Sequence, residues 1–283
     1  MRSYNGRVSN RETHTDQPAG GLDHLRLLTF NIQSGTPANS YREYLTSSWR
    51  HVLPSAVRQE NLEAIAGLVM DYDMVGLQEV DSGSLRSGFI NQSRYIATHA
   101  AMPYWFHQSN RKVGTMAYSG NGFLAHYEPD SIEEHRLPGA IPGRGALFLN
   151  FGGASGLTVV VVHLALGQLA RGTQLKYLRE RLQGQRHVVV MGDFNAEAES
   201  TKLSQFCEAL DLDAPTRAVA SFPSWKPQRS LDHILVSRTL ETGPAEVIDV
   251  GYSDHLPVAV KVEWPEGLEL KPAETPAFST SAG

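Results

Sequence analysis

The stretch on which the reading turns is HVVVMGDFN, residues 187–195. Its first five residues form a short apolar run of the kind a buried strand carries. The run then sets a carboxylate, Asp193, and a carboxamide, Asn195, two positions apart. In an extended chain residues i and i+2 project to the same side, so both groups can face one cleft. A strand followed by an Asx turn accounts for the same letters, because Gly, Asp and Asn are all turn formers. Residues 192–195 taken alone leave the two readings level.

Working outward, similar β-rich runs recur at 25–32, 73–80, 115–126, 145–151, 157–164, 230–237 and 256–264. Helical patterns cover 57–70, 168–183 and 200–210, the last with Ser200 as expected N-cap. In the second, Leu169, Leu175, Leu178 and Leu182 share one face and charged residues take the other, as in a helix that covers a sheet. Alternating and all-apolar strands together point to sheet packed on sheet with helices outside. No Pro- or Gly-rich break divides the run, and no internal repeat is evident in the sequence. The 283 residues, 41% of them hydrophobic, supply the core of one large α/β domain. The expected organisation is a polar N-terminal tail over 1–23, one domain over 24–264 and a flexible C-terminal tail over 265–283.

Composition narrows the function classes. A formal net charge of -5 is not the global basic field of a protein that coats nucleic acid, although a local basic cleft is compatible with it. The single cysteine, Cys207, excludes an intramolecular disulfide framework and a cysteine-rich zinc site; a small apolar packing role in the third helix is expected. No apolar run approaches the roughly 18 residues that span a bilayer, and the first twenty residues are polar, so a cytoplasmic protein is expected.

The polar residues at the strand ends carry the chemistry. The first strand ends in Asn31 and the second in Glu79; later strands carry His163, Asp193 with Asn195, and Asp232, and Asp254 with His255 precedes the last. Any one of these is an ordinary cap or turn residue. Their recurrence at corresponding ends marks a site, because α/β scaffolds place chemistry there. Carboxylate oxygens suit a hard divalent cation such as Mg²⁺, with Mn²⁺ as a substitute, and His with Asp supplies acid/base capacity. The combination suggests metal-assisted phosphoester hydrolysis.

The ordered set TFNIQ, LQEV, AYSGNGFLAH, VVHL, GDFN, RSLDHILVS and YSDHLPV resembles the endonuclease/exonuclease/phosphatase superfamily, from about residue 25 to 264. That group includes pancreatic-type deoxyribonucleases, exonuclease-III-like AP endonucleases, neutral sphingomyelinases and inositol-polyphosphate 5-phosphatases. The resemblance, to a compact bacterial-type member, implies an α/β four-layer sandwich of two mixed sheets flanked by helices. It implies that Glu79 is the principal Mg²⁺ ligand, with Asn31 beside it and Asp254 as a second metal-associated carboxylate. Asp193 would orient and deprotonate the attacking water, Asn195 would hold the phosphate or that water, and His255, oriented by Asp232, would bond a non-bridging phosphate oxygen. His163 would buttress the cleft. Tyr118, in YSGNG, is similar to a phosphate-contacting tyrosine of AP endonucleases, and Asn121 is a further cleft candidate. Three departures matter: Gln33 stands where AP endonucleases carry Asp, only Trp225 stands for their tryptophan-rich surface, and no lysine cluster matches the 5-phosphatases.

Arg144, Trp225 and Arg229 are the expected substrate contacts, whereas Arg171, Lys176 and Arg179 are expected on a solvated helix face. An arginine can hold a phosphate, and a tryptophan can stack on a base. A nuclease acting on DNA or another nucleic acid is therefore the first expectation. A phosphatase or phospholipase-type enzyme on a lipid or inositol phosphate is the second, and a non-catalytic module binding a phosphorylated ligand the third.

Overall fold

The computed structural model describes residues 24–36, 56–113, 116–139, 143–153, 156–263 and 268–274. In chain order these form β1 (His24–Asn31), α1 (Ala56–Val69), β2 (Met74–Val80), α2 (Gln92–His99), β3 (Tyr104–Val113), β4 (Ala117–Ala125), β5 (Ser131–Arg136), β6 (Gly145–Phe151), β7 (Leu157–His163), α3 (Gln168–Leu182), β8 (His187–Asp193), α4 (Thr201–Ala209), β9 (Leu212–Asp213), β10 (Asp232–Ser237), β11 (Glu246–Val247) and β12 (Val258–Glu263). The strands make two six-stranded sheets, ordered β11-β12-β1-β2-β4-β3 and β5-β6-β7-β8-β10-β9. Each sheet is built around one parallel pair, β1 with β2 and β7 with β8, and all other pairings are antiparallel. A parallel pair needs a crossover, and α1 and α3 lie in those two connections.

Period-two alternation sorts the side chains into layers. Leu25 and Leu27 of β1, Val159 and Val161 of β7, Val189 and Met191 of β8, and Ile234 and Val236 of β10 meet between the sheets. The alternate residues Leu28 and Phe30 pack outward with Leu62, Ile65 and Val69 of α1. Val160, Val162, Val188 and Val190 do the same with Leu175, Leu178 and Leu182 of α3 and Leu203 and Phe206 of α4. The result is the expected four-layer α/β sandwich.

The same parity positions the polar residues. Counting inward-facing positions by twos, β1 reaches Asn31, β7 reaches His163, β8 reaches Asp193, and β10 begins at Asp232. All lie at one open end of the sandwich, above a buried Thr29–Gln78 hydrogen bond of 3.1 Å that closes the apolar core.

Three expectations are corrected. Leu169 lies at the start of α3 but is 92% exposed; only Leu175, Leu178 and Leu182 form its inner face. Arg171, expected in solvent, is buried and donates through one guanidinium nitrogen to the carbonyls of Ala165 (3.1 Å) and Leu166 (2.9 Å). It holds the loop that follows β7. The expected C-terminal tail over 265–283 is in part docked: Tyr127 bridges Pro272, Glu128 N–H bonds the Lys271 carbonyl at 2.9 Å, and Leu268 and Leu270 pack on the inter-sheet core. Residues 1–23, the expected N-terminal tail, lie outside the described residues. Among the described residues no helix is long and apolar enough to cross a membrane.

Candidate active site

The end of β8 answers to both readings of GDFN. Gly192 has φ +147° and lies so close to β7 that a Cβ there would sit 1.9 Å from the Val162 carbonyl oxygen. Only glycine permits that approach. Asp193 Oδ1 then accepts from the Asn195 N–H at 2.9 Å, an Asx turn. Its other oxygen, Oδ2, faces the opening: Asn31 Nδ2 donates to it at 3.2 Å, His163 Nε2 stands 3.3 Å away and His255 Nε2 3.9 Å. Asn31 thus links the two sheets across the site. Asn195, at φ +52°, donates through Nδ2 to the Leu164 carbonyl at 3.0 Å, so at least one of its amide hydrogens serves the fold.

His255 donates from Nδ1 to Asp232 Oδ2 at 2.7 Å, and Ser221 Oγ donates to the same oxygen at 2.6 Å. Phe222 packs on the imidazole with ring centres 4.8 Å apart. Burial disfavours a charged imidazole, but the nearby carboxylates of Asp232 and Asp193 outweigh it and raise the His255 pKa well above the ordinary value. Asp193 is also raised: burial leads, His255 opposes, and the Asp232 charge adds to the rise. The buried ligand-type atoms of Asp193, Asp232 and His255 all lie within 4.8 Å of one another.

Glu79 reaches the site by a different device. Strand parity would turn it outward with Val75 and Leu77, but the β2–β4 register shifts between Gln78 and Val80, and Glu79 itself adopts φ +58°. A bulge of this kind re-aims a side chain, and a left-handed non-glycine residue is a strained one. Glu79 Oε1 comes within 4.0 Å of His163 Nε2. Asp254, buried beside it, has a raised pKa, first from burial and also from the Glu79 charge. Gln33 donates from Nε2 to Asp254 Oδ2 at 3.3 Å, while its Oε1 is buried with no hydrogen-bond partner among the described residues. Asp254 thus feels the Glu79 charge and adjoins the Gln33 amide, and carboxylate and amide oxygens are the donor types that fit a hard divalent cation. Below them Asn61 of α1 donates to the Gly35 carbonyl (3.1 Å) and the Tyr252 carbonyl (2.7 Å), fastening both loops.

Arg144, immediately before β6, donates to His163 Nε2 at 2.6 Å. That bond requires the lone pair to be on Nε2, so the proton of the neutral ring sits on Nδ1. Burial, Arg144 and His255 together hold His163 well below its ordinary pKa, which keeps the ring neutral.

The other expected contacts fall elsewhere. Asn121 is fully buried between the sheets and donates to Gln108 Oε1, the Gly145 carbonyl and the Val161 carbonyl at 3.2, 3.0 and 3.4 Å. It ties the sheets together and does not line the opening. Arg229 is exposed and paired with Glu197 at 3.3 Å, and Trp225 is half-buried in the same loop. Tyr118 is half-buried; its backbone N–H bonds Asp81 Oδ2 at 3.3 Å and its carbonyl accepts from Arg86. Ser221, Phe222 and Asn61 went unread in the sequence, and Gln33 was read only as a departure from the AP-endonuclease pattern. The first two sit in an aperiodic loop that only tertiary folding brings to His255.

A two-sheet sandwich with carboxylates, amides and histidines gathered at one open end defines a phosphoesterase-type scaffold. The chain belongs to the Endonuclease/Exonuclease/phosphatase family, whose sequence model matches residues 28–255. Members of this family are generally hydrolytic phosphoesterases. No curated protein sequence matches the chain. Among solved structures, an endonuclease/exonuclease/phosphatase from Beutenbergia cavernae DSM 12333 aligns with TM-score 0.68 and 18% identity, covering 89% of this chain and 73% of that one. A mannosyl-6-phosphatase from Bacteroides thetaiotaomicron VPI-5482 aligns with TM-score 0.63 and 17% identity, over 85% of this chain and all (100%) of that one. Truncated TDP2 from Caenorhabditis elegans gives TM-score 0.57 and 14% identity, covering 85% and 98%. These likenesses concern the fold.

Proposed function

We propose that the protein hydrolyses a phosphoester by in-line attack of water, with Mg²⁺ or Mn²⁺ as cofactor. The observation that carries this reading is the convergence of Asn31, His163 and His255, the last held by Asp232, around Asp193 Oδ2 at the end of the sandwich. His255 is the phosphate-facing acid: with Nδ1 given to Asp232 and the ring held protonated, Nε2–H is free to bond a non-bridging phosphoryl oxygen. A protonated imidazole has no lone pair for a metal, so the Asp193–Asp232–His255 trio handles protons and phosphate. Glu79 and Asp254, with Asn31 and the Gln33 amide oxygen nearby, would hold the cation. When bound, it supplies Lewis-acid neutralisation of the phosphoryl charge. Asp193 takes the proton of the attacking water, a new P–O bond forms, and the ester P–O bond opposite it breaks; the leaving oxygen takes a proton from solvent. Hydrogen bonds preorganised toward the developing charge account for most of the acceleration.

For the substrate, the side chains favour a compact phosphate headgroup, such as a sugar, lipid or inositol phosphate. Arg144 stands in the opening on His163, whereas Arg229 is committed to Glu197, and Trp225 shares its loop. That arrangement weakens the support for the nucleic acid suggested by the sequence. A panel of single-stranded and abasic DNA, RNA, a sugar 6-phosphate, a phospholipid headgroup and an inositol polyphosphate, each with Mg²⁺ or EDTA, separates the readings. Turnover of a headgroup with a shallow salt dependence supports the proposal. Metal-dependent cleavage of DNA or RNA that weakens steeply with salt would return the nuclease, and binding without turnover of any member would return the non-catalytic module.

A further inference from the structure

The sequence PGRGAL places a glycine on each side of Arg144, and the structure gives both a purpose. A Cβ on Gly145 would lie 2.1 Å from Asn110 Oδ1 and 2.6 Å from Gln108 Oε1. A Cβ on Gly143, at φ +109°, would lie 2.9, 3.1 and 3.2 Å from Cβ, Cδ and Cγ of Arg111. Strand β3 therefore rests directly on the backbone flanking Arg144. Gln108 reinforces the seam by donating to the carbonyls of His135 and Ala146 at 3.2 and 3.1 Å. The consequence is that the stem of the exposed Arg111 lies against the residue next to Arg144. Among the described residues the Arg111 side chain has no hydrogen bond or ion pair, its backbone being paired with β4, and Arg144 bonds His163. The two are close enough that the Arg111 charge adds to burial in lowering the Arg144 pKa. Glu79 and Asp193 favour the Arg144 charge from the floor of the site, whereas on the Arg111 side two cations are neighbours. An anion is the ligand that relieves them, and planar guanidinium forks match phosphate oxygens.

We infer that Arg111 and Arg144 form a two-arginine cradle that selects the doubly charged group of a phosphomonoester over the singly charged group of a diester. Arg144 lies within the electrostatic reach of Glu79 and Asp193, so the cradle borders the reacting phosphate. A monoester presents three non-bridging oxygens and close to two charges near pH 8, a diester two oxygens and one charge. The second guanidinium matters only for the former. The inference rests on the hydrolase reading for the position of the phosphate, but its test does not depend on turnover.

The test is calorimetric binding of orthophosphate and of dimethyl phosphate near pH 8 in Mg²⁺, to the wild-type chain, Arg111→Gln and Arg111→Lys. Both variants retain the Cβ and Cγ that pack on Gly143, and unchanged thermal midpoints check the fold. Arg111→Gln is expected to weaken orthophosphate binding by about ten- to a hundredfold, the scale of a lost charge-assisted contact. Dimethyl phosphate should weaken less than about threefold, and Arg111→Lys should recover part of the loss. Displacement of bound orthophosphate by a sugar 6-phosphate or a nucleoside 5′-monophosphate, run separately, identifies the carrier; displacement by neither contradicts the cradle. No preference for orthophosphate in the wild type, or a preference untouched by Arg111→Gln, also overturns it. On the same preparation, absent turnover of p-nitrophenyl phosphate with an intact dianion preference would remove the hydrolase reading and leave the cradle standing.

Discussion

Replacing Asp232 with Asn probes how the site charges its histidine. Asp232 is fully buried, and its Oδ2 accepts from both Ser221 Oγ (2.6 Å) and His255 Nδ1 (2.7 Å). Asparagine keeps the shape and one acceptor oxygen but removes the negative charge. A hydrogen bond to a charged partner contributes about 1.5–3 kcal/mol, so kcat/KM should fall by about ten- to 150-fold. The sign of the pH effect follows from the cause of the shift. Asp232 and Asp193 raise the His255 pKa against burial, to about 10, so the imidazolium of the folded wild type persists well above neutral pH. Without Asp232 that support is lost, burial gains ground, and the alkaline fall of activity should move toward neutral pH. The assay is kcat/KM with Mg²⁺ from about pH 6 to pH 10, alongside thermal midpoints that establish a folded variant. A variant within about threefold of wild type, with the same alkaline limb, would refute the reasoning.

Other expectations follow from packing. Gly192→Ala drives a methyl group into the Val162 carbonyl, a backbone atom that cannot step aside, and at least about 3 kcal/mol should be lost in urea denaturation; a loss below about 1 kcal/mol would contradict the close β7–β8 approach. Leu178→Ala in the fully buried face of α3 should cost about 2–5 kcal/mol by the same measurement, whereas Leu169→Ser, 92% exposed, should change stability by less than about 0.5 kcal/mol. Burial raises the Cys207 thiol to about 11. At pH 8 its thiolate should then be about a hundredfold rarer than that of a free cysteine, and iodoacetamide labelling of the native protein, followed by intact mass, correspondingly slow; labelling at the free-thiol rate would contradict its burial.

What the sequence made legible, and what it hid, has a physical pattern. The eight strands read as apolar or alternating runs are present because burial on one or both faces writes itself into period two. Asn31, His163, Asp193 and Asp232 were legible as strand-end residues, and the same alternation explains why they converge. Glu79 was legible in position but not in direction, since the bulge and left-handed backbone that turn it inward leave no mark on the alternation. Strand β3 was missed because YWFHQSNRKV carries its polar residues in a row, and the second sheet's edge strand β5 because it is mostly exposed. The short helix α2 was missed as well, its eight residues holding only two buried apolar side chains, Ile96 and Ala97. Arg171 was misplaced for a related reason: an arginine that reaches loop carbonyls is indistinguishable in sequence from one that reaches water. Asn121 was misplaced because buried amides that stitch sheets and amides that bind substrate look alike until their partners are known.

The most direct test of the central claim is the hydrolysis rate of the best substrate in Mg²⁺, measured for the wild-type chain and for Asp193→Asn, with EDTA as the metal-free control. The proposed chemistry requires metal-dependent turnover in the wild type and a loss of at least about a hundredfold in the variant, the scale of a removed general base, with the thermal midpoint preserved. Undiminished turnover by Asp193→Asn, or a wild-type rate indifferent to EDTA, would contradict it.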